Sequence, residues 1–249
     1  MTYALDNGMP VRLGLIVLST DETLETEART ILAGRDVGLH HSRIFSDSEV
    51  TPENLLSMQE RMAASAALLP GKLDAVGYGC TSASALMGAA LIEGQVQLAH
   101  PGVPVTNPIS AVVAALNTLG AARIAMVTPY AVDVVAPLRS FLETRGIEVA
   151  HNFSFGETDD RRVARITEAS THAAVTEAAR ATGVQAVFTS CTNLRTFGVI
   201  DALEAELGLP VISSNQALMW HLLGRAGADG RGWGPGRLFQ AEGARTAVA

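Results

Sequence analysis

The sequence predicts an α/β protein made of two similar halves, each a parallel sheet flanked by helices. Short β-branched apolar runs alternate with helix-like segments, which is the pattern of strands and helices in parallel sheets. Two such series follow each other along the 249 residues. Arg12 and Arg123, which begin matching runs, are 111 positions apart, and so are Cys80 and Cys191. The equal spacing indicates an internal duplication.

The first half is predicted over residues 10–122. Its apolar run RLGLIVLS (12–19) is typical of a buried strand, and DETLETEARTILAG (21–34) is the helix-like stretch that follows. The run LDAVGYGCTSAS (73–84) predicts another strand that ends in Cys-Thr and a polar turn. PGVPVTNPISAVVAAL (101–116) predicts a strand, a polar corner and a helix. Packing of that last helix against the other half is left open.

The second half, predicted over residues 123–240, repeats this plan. RIAMVTPY (123–130) predicts a strand and VDVVAPLRSFLETRG (132–146) the helix after it. VQAVFTSCTNLR (184–195) again predicts a strand that ends in Cys-Thr, and LGLPVISSNQALMWHL (207–222) predicts a strand, a corner and a helix. Both Cys-Thr corners therefore fall at the carboxyl ends of parallel strands, where such sheets bind ligands. A helix N-terminus at such a corner favours a carboxylate or phosphate.

The composition favours a globular protein with a small-molecule partner. The chain has a net charge of −7 and 48% hydrophobic residues, and the absence of a Lys/Arg cluster argues against nucleic-acid binding. The apolar stretch 109–122 has 14 residues, short of the roughly 20 that a membrane span needs. The first residues lack the pattern of a secretion signal, so we expect a cytoplasmic protein. Residues 241–249 are interpreted as a tail, and formation of a homo-oligomer is left open.

The two cysteines of the chain are the main candidates for chemistry. Either one alone is most simply a small buried hydrophobic residue. Chance rarely places both, each before a threonine, at matching positions of a duplication. A reducing compartment disfavours a disulfide, and the six histidines show no zinc-ligand spacing. We therefore expect two thiols across a cleft, one a base or nucleophile and the other a proton donor, with no cofactor.

The sequence resembles the aspartate/glutamate racemase superfamily, most closely its branch of maleate cis-trans isomerases and arylmalonate decarboxylases. The resemblance covers residues 10–240 through motifs that occur in this order: GLIVLSTDETLETE, GYGCTSAS, VTPY, TSCTN, GLPVISSNQA and GPGRLF. It implies two pseudo-symmetric flavodoxin-like halves with a buried site between them. It also implies a small carboxylate substrate and no metal or organic cofactor.

The resemblance assigns roles to individual residues. Cys80 and Cys191 match the two cysteines of maleate isomerases and amino-acid racemases, whereas decarboxylases of this branch have glycine at the first position. Two thiols therefore favour isomerisation or racemisation over decarboxylation. Thr81 and Ser82 match a hydroxyl pair that holds a substrate carboxylate, and Tyr130 matches the tyrosine of the VTPY turn. The resemblance implies that all three donate hydrogen bonds to the substrate carboxylate.

Two aspartates depart from the family pattern. Asp21 and Asp160 stand where maleate isomerases typically have asparagine. Because a carboxylate accepts hydrogen bonds but does not donate them, these aspartates would favour a substrate with an ammonium group. Asp21 is explained about equally well as a helix N-cap, since Glu25 follows it. The TDET motif is similar to an ectoine-utilisation racemase-like subgroup, whose substrates would be amino acids.

Two residues after Cys191 complete the predicted site. Thr192 is expected to donate to the substrate carboxylate, and Asn193 is expected to contact ligand, although turn chemistry explains Asn193 about as well. Three functions remain: a two-cysteine isomerase or racemase, an arylmalonate-type decarboxylase, and a non-catalytic carboxylate-binding protein. The paired thiols count against the last, because binding alone needs hydroxyls and amides. We expect the sulfurs to lie roughly 6 to 10 Å apart across one cleft.

Overall fold

A computed structural model describes residues 2–5, 8 and 11–241. Residue 10, at the predicted start of the first half, and residues 242–249 of the predicted tail lie outside the described residues. The described chain forms two four-stranded sheets, both parallel throughout and flanked by helices. The predicted α/β fold with two similar halves is confirmed.

The first half consists of the first sheet and its helices, between residues 11 and 118. In chain order they are β1 (Val11–Leu18), α1 (Leu24–Leu32), β2 (Val37–Ile44), α2 (Pro52–Ser57), α3 (Gln59–Ala66), β3 (Ala75–Gly79), α4 (Thr81–Met87), α5 (Ala89–Gln97), β4 (Val105–Thr106) and α6 (Pro108–Thr118). The strands lie in the order β2-β1-β3-β4, and every neighbouring pair is parallel.

The second sheet repeats this arrangement. Its elements are β5 (Arg123–Thr128), α7 (Val132–Glu143), β6 (Glu148–Ser154), α8 (Asp160–Val163), α9 (Glu168–Ala178), β7 (Ala186–Thr189), α10 (Ile200–Leu207), β8 (Val211–Ser213) and α11 (Ser214–Arg225), with short 3-10 helices at Phe197–Val199 and Arg237–Gln240. The strand order β6-β5-β7-β8 is the order of the first sheet. The duplication inferred from the cysteine spacing is therefore a duplication of strand topology.

The central strands and the edge strands differ in polarity. Strand β1 pairs on both sides and is buried from Leu13 to Leu18, because helices cover both faces of a parallel sheet. Strand β2 pairs on one side only and is mostly half-buried. Its sequence VGLHHSRI contains two histidines and one arginine, so the hydrophobic pattern did not identify it as a strand.

One cluster of buried hydrophobic residues extends through both halves, and a second lies within the second half. Helix α11 follows the last strand of the second sheet, yet it packs against β3 of the first sheet and against α6. Leu218 and Leu222 of α11 pack against Gly77 of β3. A Cβ built on Gly77 would lie 3.5 Å from each leucine, at van der Waals contact distance. Helix α6 thus packs across the boundary between the halves. The site lies at this boundary, and the shared core holds its two sides together.

Helix α6 also accounts for most of the apolar stretch 109–122. It has 11 residues, and Asn107 caps its N-terminus by accepting a hydrogen bond of 3.1 Å from the Ser110 backbone N–H. Within the described part of the chain, no helix is both long enough and apolar enough to cross a membrane.

Candidate active site

The first Cys-Thr corner places a thiol at the start of a helix. Gly79 ends β3, Cys80 is the N-cap of α4, and Thr81 begins that helix. The Cys80 sulfur lies 3.8 Å from Ser82 Oγ. A helix N-terminus has free N–H groups and a positive dipole end, which stabilise an anion. This corner therefore has the geometry that the sequence predicted.

The second corner holds its thiol differently. No helix begins after Cys191, and the chain turns instead through residues 192–196. Cys191 has a φ of 127°, a left-handed conformation that costs energy for any residue except glycine. Its sulfur accepts a hydrogen bond of 3.3 Å from the Asn193 backbone N–H. The expected helix N-terminus is thus present at Cys80 and replaced by a strained turn at Cys191.

Both thiols line one cavity between the halves. The cavity has about 420 Å³ of empty space, including its mouth. Six of the nine residues predicted for the site line it: Cys80, Ser82, Tyr130, Asp160, Cys191 and Thr192. They come from loops at the carboxyl ends of strands in both sheets, as expected for parallel sheets.

The other three predicted residues do not line the cavity. Asp21 Oδ1 accepts hydrogen bonds of 2.8 Å from the backbone N–H groups of Thr23 and Leu24 at the start of α1. The hydrogen bonds of Oδ1 are those of a helix cap, and the expected contact of Asp21 with substrate stays a prediction. The Thr81 hydroxyl donates to Ser214 at 2.8 Å and is turned away from the cavity.

Asn193 joins the two halves behind the cavity wall. Its Nδ2 donates to the Asp160 carboxylate at 3.1 Å and to the Thr20 backbone carbonyl at 3.2 Å. Its Oδ1 accepts the Glu22 backbone N–H at 2.9 Å. Asn193 therefore helps to hold Asp160 in place, and its expected contact with ligand stays a prediction.

A family model described as arylmalonate decarboxylase matches residues 13–239. The chain belongs to the arylmalonate decarboxylase family. The predicted branch of the racemase superfamily is thereby confirmed.

Members of this family with different activities resemble the chain about equally. The maleate isomerase of Geobacillus stearothermophilus is 26% identical over 85% of this chain and 90% of its own length. The solved maleate isomerase Iso from Pseudomonas putida S16 has 26% identity and a TM-score of 0.82, covering 92% of this chain and 98% of its own. A liganded arylmalonate decarboxylase, with one glycine changed to cysteine and one cysteine to serine, has 28% identity and a TM-score of 0.81, covering 92% and 99%. The isomerase relatives confirm the predicted enzyme class, and the substrate has to be argued from the cavity.

The cavity of this family member is acidic. Asp160 is buried, and Asp47 and Glu49 line the mouth. Among the described residues that line the cavity there is no arginine, lysine or histidine. Asp160 Oδ2 accepts hydrogen bonds from the Thr20 hydroxyl at 2.6 Å and from Asn193. Burial, together with the charges of neighbouring acidic residues, raises the pKa of Asp160.

The same surroundings raise the pKa of both thiols. Burial raises the pKa of Cys80 to about 12, against hydrogen bonds from Ala83 and Ser82 that lower it. Burial and the charge of Asp160 raise the pKa of Cys191 well above its ordinary value. Tyr130 lies beside Cys191, and burial raises its pKa as well. A bound group with positive charge would favour the thiolate form by offsetting the carboxylates.

One segment that covers the cavity was not predicted from the sequence. Residues 46–58, between β2 and α3, contribute Ser46, Asn54 and Met58 to its lining. This segment pairs with the second half through hydrogen bonds of 2.8 Å from the Val50 N–H to the Thr158 carbonyl and from the Asp160 N–H to the Ser48 carbonyl. The polar run FSDSEVTPEN marks a loop at the carboxyl end of a strand. That signal was missed because β2 was not recognised.

No cluster of three or more His, Cys, Asp or Glu side chains that could hold a metal ion occurs among residues 2–5, 8 and 11–241. Cys80 and Cys191 are free thiols.

Proposed function

We propose that the chain is a two-cysteine isomerase or racemase, without a cofactor, whose substrate is a small carboxylate that also carries an ammonium group. The observation that carries the proposal is the charge of the cavity. Three carboxylates line it, and the described lining contains no basic side chain. A dicarboxylate such as maleate would meet like charge, which costs on the order of several kcal/mol at about 4 Å for an effective dielectric near 20.

The substrate carboxylate has neutral donors available. Ser82, Tyr130 and Thr192 each line the cavity and can donate a hydroxyl hydrogen bond. The Thr192 hydroxyl donates to the Gly79 carbonyl at 3.3 Å, a weak bond that a carboxylate can displace. The ammonium group would then lie beside Asp160, whose Oδ1 forms no hydrogen bond with the described residues.

The two thiols supply the proton transfer. One thiolate takes the proton from the substrate Cα and becomes a thiol, and the other thiol gives its proton to the opposite face and becomes a thiolate. The net result is inversion at Cα with no change in charge or oxidation state. The ammonium group beside Asp160 offsets the negative charge that raises the pKa of both thiols. Substrate binding would thus assist formation of the thiolate.

An arylmalonate-type decarboxylase is the second candidate. It is favoured by the family to which the chain belongs and by Cys191, the cysteine that such enzymes share. The presence of Cys80, where those enzymes have glycine, favours the first candidate. A non-catalytic carboxylate-binding protein has no use for two thiols that line the same cavity.

The test measures Cα proton exchange in D₂O by NMR for substrates of different charge. We expect exchange and inversion to be fastest with a diaminobutyrate-type amino acid, slower with a neutral amino acid and slowest with aspartate. We expect no conversion of maleate to fumarate. Rapid maleate conversion without exchange in any amino acid would refute the ammonium-bearing substrate. Loss of CO₂ from an arylmalonate would favour the second candidate.

A further inference from the structure

One buried hydroxyl connects the two cysteine corners. Ser214 Oγ accepts a hydrogen bond of 2.8 Å from the Thr81 hydroxyl, in the residue after Cys80. The same oxygen accepts a hydrogen bond of 3.1 Å from the backbone N–H of Cys191. Ser214 is fully buried and does not line the cavity. It therefore contacts both corners of the site without facing the substrate.

The bond to Cys191 acts on a strained backbone. Cys191 and Lys72 are the non-glycine residues with positive φ in the described chain. Such a conformation persists only when the surrounding structure fixes it. The orientation of the Cys191 N–H determines where its Cβ and sulfur point, so an acceptor for that N–H also directs the thiol.

The hydroxyl of Ser214 is not needed to begin its helix. Ser213 is the N-cap of α11, and its Oγ accepts the backbone N–H of Gln216 at 3.1 Å in a capping box. Ser213 and Ser214 are therefore adjacent buried serines with different roles. One caps the helix, and the other bonds to both cysteine corners.

We propose that Ser214 is a positioning residue that sets the orientation of Cys191 relative to Cys80. It does so through the Cys191 backbone on one side and through Thr81 on the other. This inference rests on the proposed two-thiol function. A displacement of about 1 Å at a reacting group lowers rates by about 100-fold. We therefore expect removal of the Ser214 hydroxyl to lower kcat with little change in KM.

The test compares Ser214→Ala with Ser213→Ala in the full chain. We expect Ser214→Ala to lower kcat for Cα inversion by about 10- to 100-fold and to change KM by less than about threefold. Ser213→Ala removes a buried hydroxyl from the same helix start and is expected to lower the melting temperature with kcat retained. Equal kcat in the two variants would overturn the proposal.

A second measurement does not depend on turnover. Iodoacetamide labelling of each cysteine, followed by peptide mass spectrometry, reports how the thiols are oriented and ionised. We expect Ser214→Ala to change the labelling rate of Cys191 by at least about fivefold, whereas Ser213→Ala leaves it unchanged. If the wild-type chain inverts no amino acid but this difference appears, the proposed function fails and the positioning role stands. If neither serine variant alters labelling, the positioning role fails.

Thr81→Val tests the hydrogen bond between Thr81 and Ser214. It removes the donor to Ser214 and leaves the bond from the Cys191 N–H in place. We expect the double variant, Thr81→Val with Ser214→Ala, to lose less kcat than the product of the fold losses of the two single variants. The reason is that both substitutions act through the Ser214 Oγ. Strictly multiplicative losses would show that Thr81 and Ser214 act separately and would overturn the link between the corners.

Discussion

The Glu27 carboxylate of helix α1 accepts a hydrogen bond of 2.6 Å from the Asn215 side chain of helix α11, across the boundary between the halves. The backbone N–H groups of Thr196 and Phe197 also donate to it, at 3.4 and 3.3 Å. No arginine or lysine forms a salt bridge with Glu27 among the described residues. Burial raises the pKa of Glu27 from 4.5 to about 7, and the charge of Asp21 contributes.

This buried carboxyl predicts a pH dependence of stability. An acid whose pKa is raised by folding binds more protons in the folded state, so its stabilising contribution is complete below pH 4.5 and is lost as the pH rises to about 7. We expect Glu27→Gln to flatten this slope, so that the fall in the free energy of unfolding between pH 4.5 and pH 8 becomes smaller by on the order of 1 to 3 kcal/mol. Urea unfolding at several pH values measures it. The exposed Glu53→Gln is the control, and an identical slope in both variants would contradict the assignment.

Both cysteines are expected to be essential for turnover. Cys80→Ser and Cys191→Ser should each lower kcat by at least about 10³-fold, because a serine hydroxyl does not ionise near neutral pH. Circular dichroism should show an unchanged fold, since both substitutions retain a small side chain. If Cys80→Ser retained most of its activity while Cys191→Ser did not, a one-thiol decarboxylase mechanism would be preferred.

Asp160 is expected to select substrate charge. Asp160→Asn removes one negative charge from the cavity wall and should improve kcat/KM for a dicarboxylate, relative to an amino acid, by about 10- to 100-fold. Asp133→Asn is the matched control, because it removes the same charge from the exposed start of helix α7, outside the cavity lining. Steady-state assays with maleate and one amino acid measure the ratio. An equal shift in both variants would show that Asp160 does not contact the substrate.

Thiol reactivity should follow the raised pKa values. With the pKa of Cys80 at about 12, iodoacetamide labelling should be slow at pH 7 and rise about tenfold per pH unit up to about pH 10. Asp160→Asn should accelerate labelling of both thiols at fixed pH, since its charge opposes both thiolates. Asp47→Asn, at the cavity mouth, is the control. Labelling rates that level off below pH 9 would contradict the raised pKa.

Gly79 is predicted to tolerate no side chain. A Cβ there would lie 2.4 Å from Leu24 Cδ2 and 3.2 Å from the Ile16 carbonyl oxygen. Gly79→Ala should therefore lower the free energy of unfolding by about 1 to 3 kcal/mol, as measured by urea denaturation. Gly94 in helix α5 has no atom within 4 Å of its Cβ position. Gly94→Ala is expected to be neutral or to stabilise by up to about 1 kcal/mol, and equal destabilisation by both would refute the packing argument.

The main features of the fold were predictable because they repeat along the chain. Strand β1, the helix after it and the corner at Cys80 have counterparts 111 positions later. A long apolar run identifies a buried central strand, such as β1 or β5. Strand β2 was missed because it lies at a sheet edge, where polar residues such as His40 and His41 are tolerated.

The site was predictable only in part. Cys80 and Cys191 could be paired from the duplication, but a sequence pattern does not report the direction of a side chain. The pattern around Asp21 fitted a helix cap and a ligand contact equally well, and the structure shows the capping hydrogen bonds of its Oδ1. No sequence pattern indicated the role of Ser214, because its hydrogen-bond partners Thr81 and Cys191 are 133 and 23 positions away.

The sequence by itself determined the α/β class, the duplication, the superfamily branch and the pair of thiols. These depend on local periodicity and on motif order, which neighbouring residues along the chain encode. The tertiary structure alone decided which groups face the cavity, that its described lining lacks a basic side chain and that Cys191 has a left-handed backbone. These features arise where two separately encoded halves pack together, so they depend on contacts between residues far apart in sequence.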